Sequence, residues 1–165
     1  MDKLSQVENS VWWDYLTDDL KDLVESSIFL AQNADTWGFT HSDYSFVVFP
    51  MAKAYEGFLK KFFLDMGFIT EGDYLGTHFR IGKALNPHLE DHLRGDDWVY
   101  PKISTYCHGS ALPKLLWDTW RECRNVVFHW FPHGSKQLTL DESREKINMI
   151  LHAFDEVFKE CRIKV

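Results

Sequence analysis

The end of the chain constrains the fold most. Ile147, Ile150, Leu151, Phe154, Val157, Phe158 and Cys161 recur at three- and four-residue intervals within residues 140–162. Only an α-helix gathers that spacing onto one face. Thr139-Leu140-Asp141-Glu142 places a hydroxyl three residues before a carboxylate, the pattern of a capping box that opens a helix. No segment shows the strict alternation of a half-buried strand, and there is no internal repeat or low-complexity stretch.

The same periodicity appears elsewhere. Residues 10–33 read as a first helix, with Trp12, Leu16, Leu20, Leu23, Ser27, Leu30 and Ala31 on one face and Ser10 as its cap. Residues 43–66 read as a second, with Met51, Tyr55, Phe58, Phe62 and Met66 inward. Pro50 marks a kink or a fresh start in it, and Gly67 sits where a C-terminal glycine stops a helix. Residues 111–131 form a strong helix, capped by Ser110 and ended by Pro132 and Gly134. Its expected core stripe is Leu116, Trp120, Cys123, Val127, Trp130 and Phe131. Residues 70–109 are the least regular and are expected to hold one or two short helices, including one from Thr77 to Leu85. The expected fold is all-α: one domain over residues 1–165, an antiparallel bundle of four to five main helices with short extra helices in 70–109.

Composition removes several classes. With 165 residues, 45% hydrophobic and 16% aromatic, the chain can fill a core without metal or disulfide. No apolar run reaches the roughly 18 residues of a membrane helix, so no membrane partner is expected. The start, Met1-Asp2-Lys3, lacks the basic and apolar regions of a signal peptide. Cys107, Cys123 and Cys161, an odd count without a pattern, read as reduced thiols in a cytoplasmic protein. The net charge of −7 argues against broad, field-driven nucleic-acid binding. An RNA-acting chain of this charge must concentrate its Lys and Arg around one site.

The segment with pointed chemistry is Arg124-Asn125-Val126-Val127-Phe128-His129. At about 100° per residue, with Leu116 at the centre of the buried stripe, Arg124 lies on a flank, and Arg121, Asn125 and His129 lie on the far side. Arg124 and His129 then point roughly 140° apart. Trp117 and Phe128 share the outer arc. Such a face reads as one covered by another helix or by a partner chain. On spacing alone, an Arg and a His five apart are more often accidental than functional.

The pattern resembles the hallmark of the HEPN family: Arg, a polar residue that is often Asn, then His after four to six intervening positions, on the penultimate helix of a small all-α bundle. Ala54-Tyr55-Glu56-Gly57-Phe58-Leu59-Lys60-Lys61 is similar to an acidic and basic stretch on an earlier helix of HEPN ribonucleases, including toxins of the RNase LS type. The likeness covers most of the chain as architecture and about a dozen residues as motif. It implies a metal-independent endoribonuclease, without cofactor, that acts as a homodimer through the Arg124–His129 helix. Such proteins serve as toxins or phage-defence effectors, held by an antitoxin or regulatory protein. His129 would move a proton, since imidazole titrates near working pH. Arg124 would hold the non-bridging phosphate oxygens. Asn125, Glu56, Lys60 and Arg121 are supporting candidates: Asn125 orients the site or bonds across the dimer, Glu56 orients Arg124 or His129, and Lys60 binds phosphate. For Glu56 and Lys60 an exposed ion pair four residues apart is the plain alternative. Some HEPN toxins carry a modifiable Tyr two residues after the His. Here Phe131 stands there and has no hydroxyl. The competing function is a HEPN-like domain that binds RNA, a nucleotide or a protein without catalysis; a generic helical interaction module is the third.

Other constellations carry less. His129/His133 and His88/His92 have zinc-compatible spacing, but Pro132 interrupts the first pair, and solvated helix-end histidines account for the second. Cys107 and His108 add no recognised metal pattern. Cys123 and Cys161 fall on buried stripes, where thiols are inert, and nothing in the sequence activates Cys107. Asp18-Asp19 and Asp96-Asp97 read as cap and turn residues.

Overall fold

The structure, a computed structural model, describes residues 3–130, 132, 136–161 and 163. Among these the chain is all-helical. Helix α1 spans Lys3–Glu8, α2 Asp18–Asn33, α3 Ser45–Asp65, α4 Glu71–Leu75, α5 Ile81–Ala84, α6 Tyr100–Tyr106, α7 Ala111–Trp120 and α8 Leu140–Cys161. Short 3₁₀ turns lie at Trp13–Tyr15, Ala34–Thr36 and Asp91–Leu93. Expectations placed on Phe131, His133, Gly134 and Arg162 fall outside the described residues.

Helix α3 is the centre. It packs on α2 and α8, with α7 beyond, and its buried side chains run from Val47 to Phe63. Its apolar content explains this, because a helix hydrophobic nearly all round must be covered nearly all round. Phe58 meets Phe154 of α8 at 4.4 Å between ring centroids, and Phe154 meets Trp12 at 4.9 Å. Gly57 lets α2 approach: a Cβ there would lie 2.4 Å from Leu20 Cδ2. The buried Ser27 hydroxyl of α2 donates to the Val47 carbonyl of α3 at 2.6 Å. The helix runs unbroken through Pro50, which has no N–H to return to the Phe46 carbonyl. Gly67, at φ +68, stops the chain just beyond it, as the sequence predicts.

The capping box of α8 forms as expected. The Thr139 amide donates to Glu142 at 2.8 Å, and the Glu142 amide donates to the Thr139 hydroxyl at 3.2 Å. Those backbone and hydroxyl donors hold the Glu142 carboxyl below the usual carboxylate range.

Four expectations are corrected. Residues 10–33 are two helical pieces and not one, because the chain turns at Leu16-Thr17 and α2 restarts after Thr17. Ser10 caps nothing there; its hydroxyl bonds the Gln6 carbonyl. Residues 70–109 hold three α-helices and a 3₁₀ turn, with α5 covering only part of the stretch expected from Thr77 to Leu85. The helix expected over 111–131 leaves regular α geometry at Arg121. Finally, Cys107 and Cys161 are not reduced: they form a disulfide between the end of α6 and the end of α8. The inference of a reducing compartment from three free thiols therefore lapses. Only Cys123 is free; burial pushes its thiol up to about 12, which keeps it protonated and inert.

The disulfide closes 54 residues, so loop-entropy reasoning gives it about 4 kcal/mol. Reduction, or Cys161→Ser, is expected to lower the melting temperature by about 10 °C in a thermal scan. An unchanged midpoint would show that the bond does not constrain the unfolded chain.

Candidate active site

The motif begins on a π-helical stretch, Arg121–Asn125, that continues α7 and holds Arg124 and Asn125. The Val126 amide donates to the Arg121 carbonyl at 2.9 Å, a bond spanning five residues in place of four. One wide turn holds more residues and so narrows the angle per residue assumed for a 3.6-residue helix, and the chain leaves the helix at Val126. The separation of Arg124 and His129 expected from uniform α geometry therefore does not apply. Such π turns occur frequently at functional sites.

Two anchors fix this stretch. Lys146 of α8, with most of its side chain covered, bonds Glu122 at 3.0 Å. Cys123 packs into the core beside Met149. Beyond it, Val127 is buried with Val48 and Leu138 in a second small cluster, with Phe128 packed against it. Phe128 also meets Phe49 of α3 edge to face, at 5.4 Å.

Arg124 is placed by two neighbours. Its guanidinium lies 3.8 Å from the Glu56 carboxylate of α3, and both side chains are partly exposed. It also lies over the Trp120 ring, 5.1 Å from the centroid. Trp120 in turn is backed by Gly82 of α5, where a Cβ would come 3.1 Å from the indole nitrogen. Glu56 thus pairs with Arg124 and not with Lys60, so the plain i,i+4 alternative is not what forms.

Two clefts meet at this pair. One, of about 320 Å³, is lined by Glu56, Lys60, Arg80, Trp120, Arg124 and Asn125, among others. The other, of about 390 Å³, is lined by Phe49, Lys53, Glu56, Arg124 and Phe128. Together they carry four cations, Lys53, Lys60, Arg80 and Arg124, against one carboxylate, Glu56. In a chain of net charge −7 this is the local concentration that the sequence demands of an anion site.

His129 follows the helix, its Nε2 at 3.0 Å from Asn125 Oδ1. An amide oxygen only accepts, so in this contact Nε2 donates in the tautomer that carries its proton there. Asn125 is therefore the link, lining the Arg124 cleft while holding the imidazole. Arg121 is not brought in: it lies 3.8 Å from both Asp118 and Glu122 on its own helical segment. Trp117 and Phe128 are half-buried against the chain's own core, the first of the two coverings expected for that face, whereas Trp130, expected inside, is 78% exposed. Sequence reasoning missed Lys53 and Arg80. The first falls on the same face of α3 as Glu56 and Lys60 at three- and four-residue steps, a signal present in the sequence. Arg80 comes from the irregular segment and had no such signal.

Among the described residues no group of three or more His, Cys, Asp and Glu is arranged to hold a metal ion, and His92 pairs instead with Glu90. No family model matches the chain, and no curated protein and no solved structure matches it.

The half-exposed Arg124–Glu56 pair is expected to matter little for folding. Arg124→Ala should cost under about 1 kcal/mol, moving the melting temperature by less than about 4 °C. Trp120→Ala, which empties a buried site, should cost about 3–5 kcal/mol and lower it by about 10 °C or more. Equal losses in thermal unfolding would make Arg124 a structural residue.

Proposed function

We propose that this protein is a metal-independent endoribonuclease of the HEPN type. The observation that carries it is the joining of the motif to a cationic cleft: Arg124, steadied by Glu56 and Trp120, opens beside Lys60, Arg80 and Asn125, and Asn125 holds His129. In this reading a phosphodiester sits in the cleft. His129 takes the 2′-hydroxyl proton as that oxygen attacks the adjacent phosphorus. The bond from phosphorus to the 5′ oxygen breaks, and that oxygen leaves as a hydroxyl, taking its proton from water. The products are a 2′,3′-cyclic phosphate and a 5′-hydroxyl. Arg124 stabilises charge on the non-bridging oxygens through its planar fork. Lys60 adds a flexible point charge for phosphate.

The active form in this proposal is a homodimer. Exposed Val126, within the motif, and Trp130, just after it, supply apolar surface for a second copy. The biological setting proposed with it is a toxin or phage-defence effector restrained by an antitoxin or regulatory protein. No helix among the described residues is long and apolar enough to cross a membrane.

The test is cleavage of an end-labelled structured RNA in excess EDTA. Wild type should leave 2′,3′-cyclic phosphate ends, and His129→Ala and Arg124→Ala should each lose about 100-fold or more in rate. Full activity in His129→Ala overturns the proposal; an RNA that survives wild type points to a domain that binds without cutting. The rate should also change with pH near neutrality, whereas a flat profile from about pH 5 to 9 would leave His129 only a positioning role. For the dimer, light scattering at micromolar concentration should give twice the chain mass, and Trp130→Asp should halve it.

A further inference from the structure

Helix α3 is covered over most of its surface, and apart from Lys61 and Asp65 at its C-terminal end its open side chains include one stripe: Phe46, Phe49, Lys53, Glu56 and Lys60, at steps of three, four, three and four residues. The stripe spans about 21 Å at 1.5 Å per residue. Its far end enters the Arg124 cleft through Glu56 and Lys60. Its near end joins an aromatic cluster on the loop between α2 and α3. There Phe46 stacks with Trp37 at 6.0 Å and meets His41 at 5.1 Å, while Phe39 meets His41 at 4.8 Å.

This cluster does more than close a loop. Phe39 is 67% exposed and Phe49 is 51% exposed, a large apolar outlay next to cations. Gly38, at φ +66, makes the turn between Trp37 and Phe39 in a conformation that favours glycine. The loop is anchored at its two ends. Tyr44 N donates to the Leu138 carbonyl at 2.8 Å, the Ser143 hydroxyl donates to the Tyr44 carbonyl at 3.0 Å, and Arg144 bonds both the Ala31 carbonyl and Asp35. The nearby carboxylates are occupied: Asp35 by Arg144, and Asp43 by the amides of Ser45 and Leu138.

We propose that this stripe is the path of a single-stranded RNA segment leaving the Arg124 cleft. Phosphates lie along Lys53 and Lys60, and unpaired bases stack on Phe46 and Phe39. Exposed rings beside a cationic groove are what sequence-tolerant binding of a single strand requires, because every base has a face to stack and every linkage a charge to neutralise. A duplex offers no free base faces and would not use the rings. The proposal rests on the ribonuclease reading for the identity of the ligand, and it assigns the substrate class: RNA with several unpaired nucleotides beside the cleavage point.

The experiment uses a fluorescein-labelled, 2′-O-methyl single strand of mixed sequence, which lacks the attacking hydroxyl, and the same strand annealed to its complement. Anisotropy measures binding to wild type, to Phe39→Ala/Phe46→Ala, and to Phe46→Tyr. Wild type should prefer the single strand, the double variant should lose about tenfold in affinity for it, and Phe46→Tyr, which keeps the ring, should bind as wild type. Circular dichroism checks that the variants fold. Unchanged binding by the folded double variant, preference for duplex, or no binding by wild type overturns the proposal. So does conversion of a dimer to a monomer by the double variant, which would make this a surface between copies. The two readings fail separately: cleavage with ring-independent binding sinks the path alone, and ring-dependent binding without cleavage sinks the ribonuclease alone.

Discussion

The burial of α3 organises this molecule. Its inward residues include Tyr55, Phe58, Phe62 and Phe63, all fully covered, and the neighbouring helices must close around them to remove that area from water. Once α2 and α8 take their positions, most of α3 is closed off. Of the polar groups it still presents, Lys61 and Asp65 pair with each other at its C-terminal end, and Lys53, Glu56 and Lys60 line one stripe. The candidate site follows from this constraint. Glu56 cannot face inward without a large desolvation cost, so it faces that open stripe, where α7 and its π-helical continuation bring Arg124.

The π stretch has its own logic. Trp120, Cys123 and Val127 must all be buried, the first under Arg124 and against Gly82, the second beside Met149, the third in the separate cluster with Val48 and Leu138. The inserted residue lets the chain meet both clusters while turning out of the helix. The same turn swings Asn125 to the cleft and leaves His129 within bonding distance of its amide. Packing on one side of the segment thus decides the arrangement of polar groups on the other.

What the sequence made legible was what periodicity and capping encode. Helix α8 and its box, the length of α3 and its stop at Gly67, and the all-helical class all follow from three- and four-residue spacing. Glu56 and Arg124 were both named, though the partner of Glu56 was left open among Arg124, His129 and Lys60. What was hidden depends on contacts between distant residues. The Cys107–Cys161 bond joins positions 54 apart with no spacing rule. The π turn is invisible to a fixed 100° step, and assuming that step put Trp130 in the core. The break at Leu16-Thr17 was masked because apolar residues on both sides of it face the same core, so the stripe looked continuous.

Glu56 raises the question of why a carboxylate sits among cations that would receive phosphate. Without it, Lys53, Lys60 and Arg80 would repel the guanidinium of Arg124 and let it wander. With it, the guanidinium is held against Trp120 in one orientation. The pair is weak enough to yield: its atoms are 3.8 Å apart and each side chain is more than a third exposed, so its strength is of order 1 kcal/mol or less. A phosphate offering two oxygens to the planar fork competes well against such a partner. A buried, tightly bonded pair would have fixed Arg124 at the expense of any ligand. The half-open geometry keeps the cation oriented and leaves its charge transferable, which is the balance an anion-binding arginine needs.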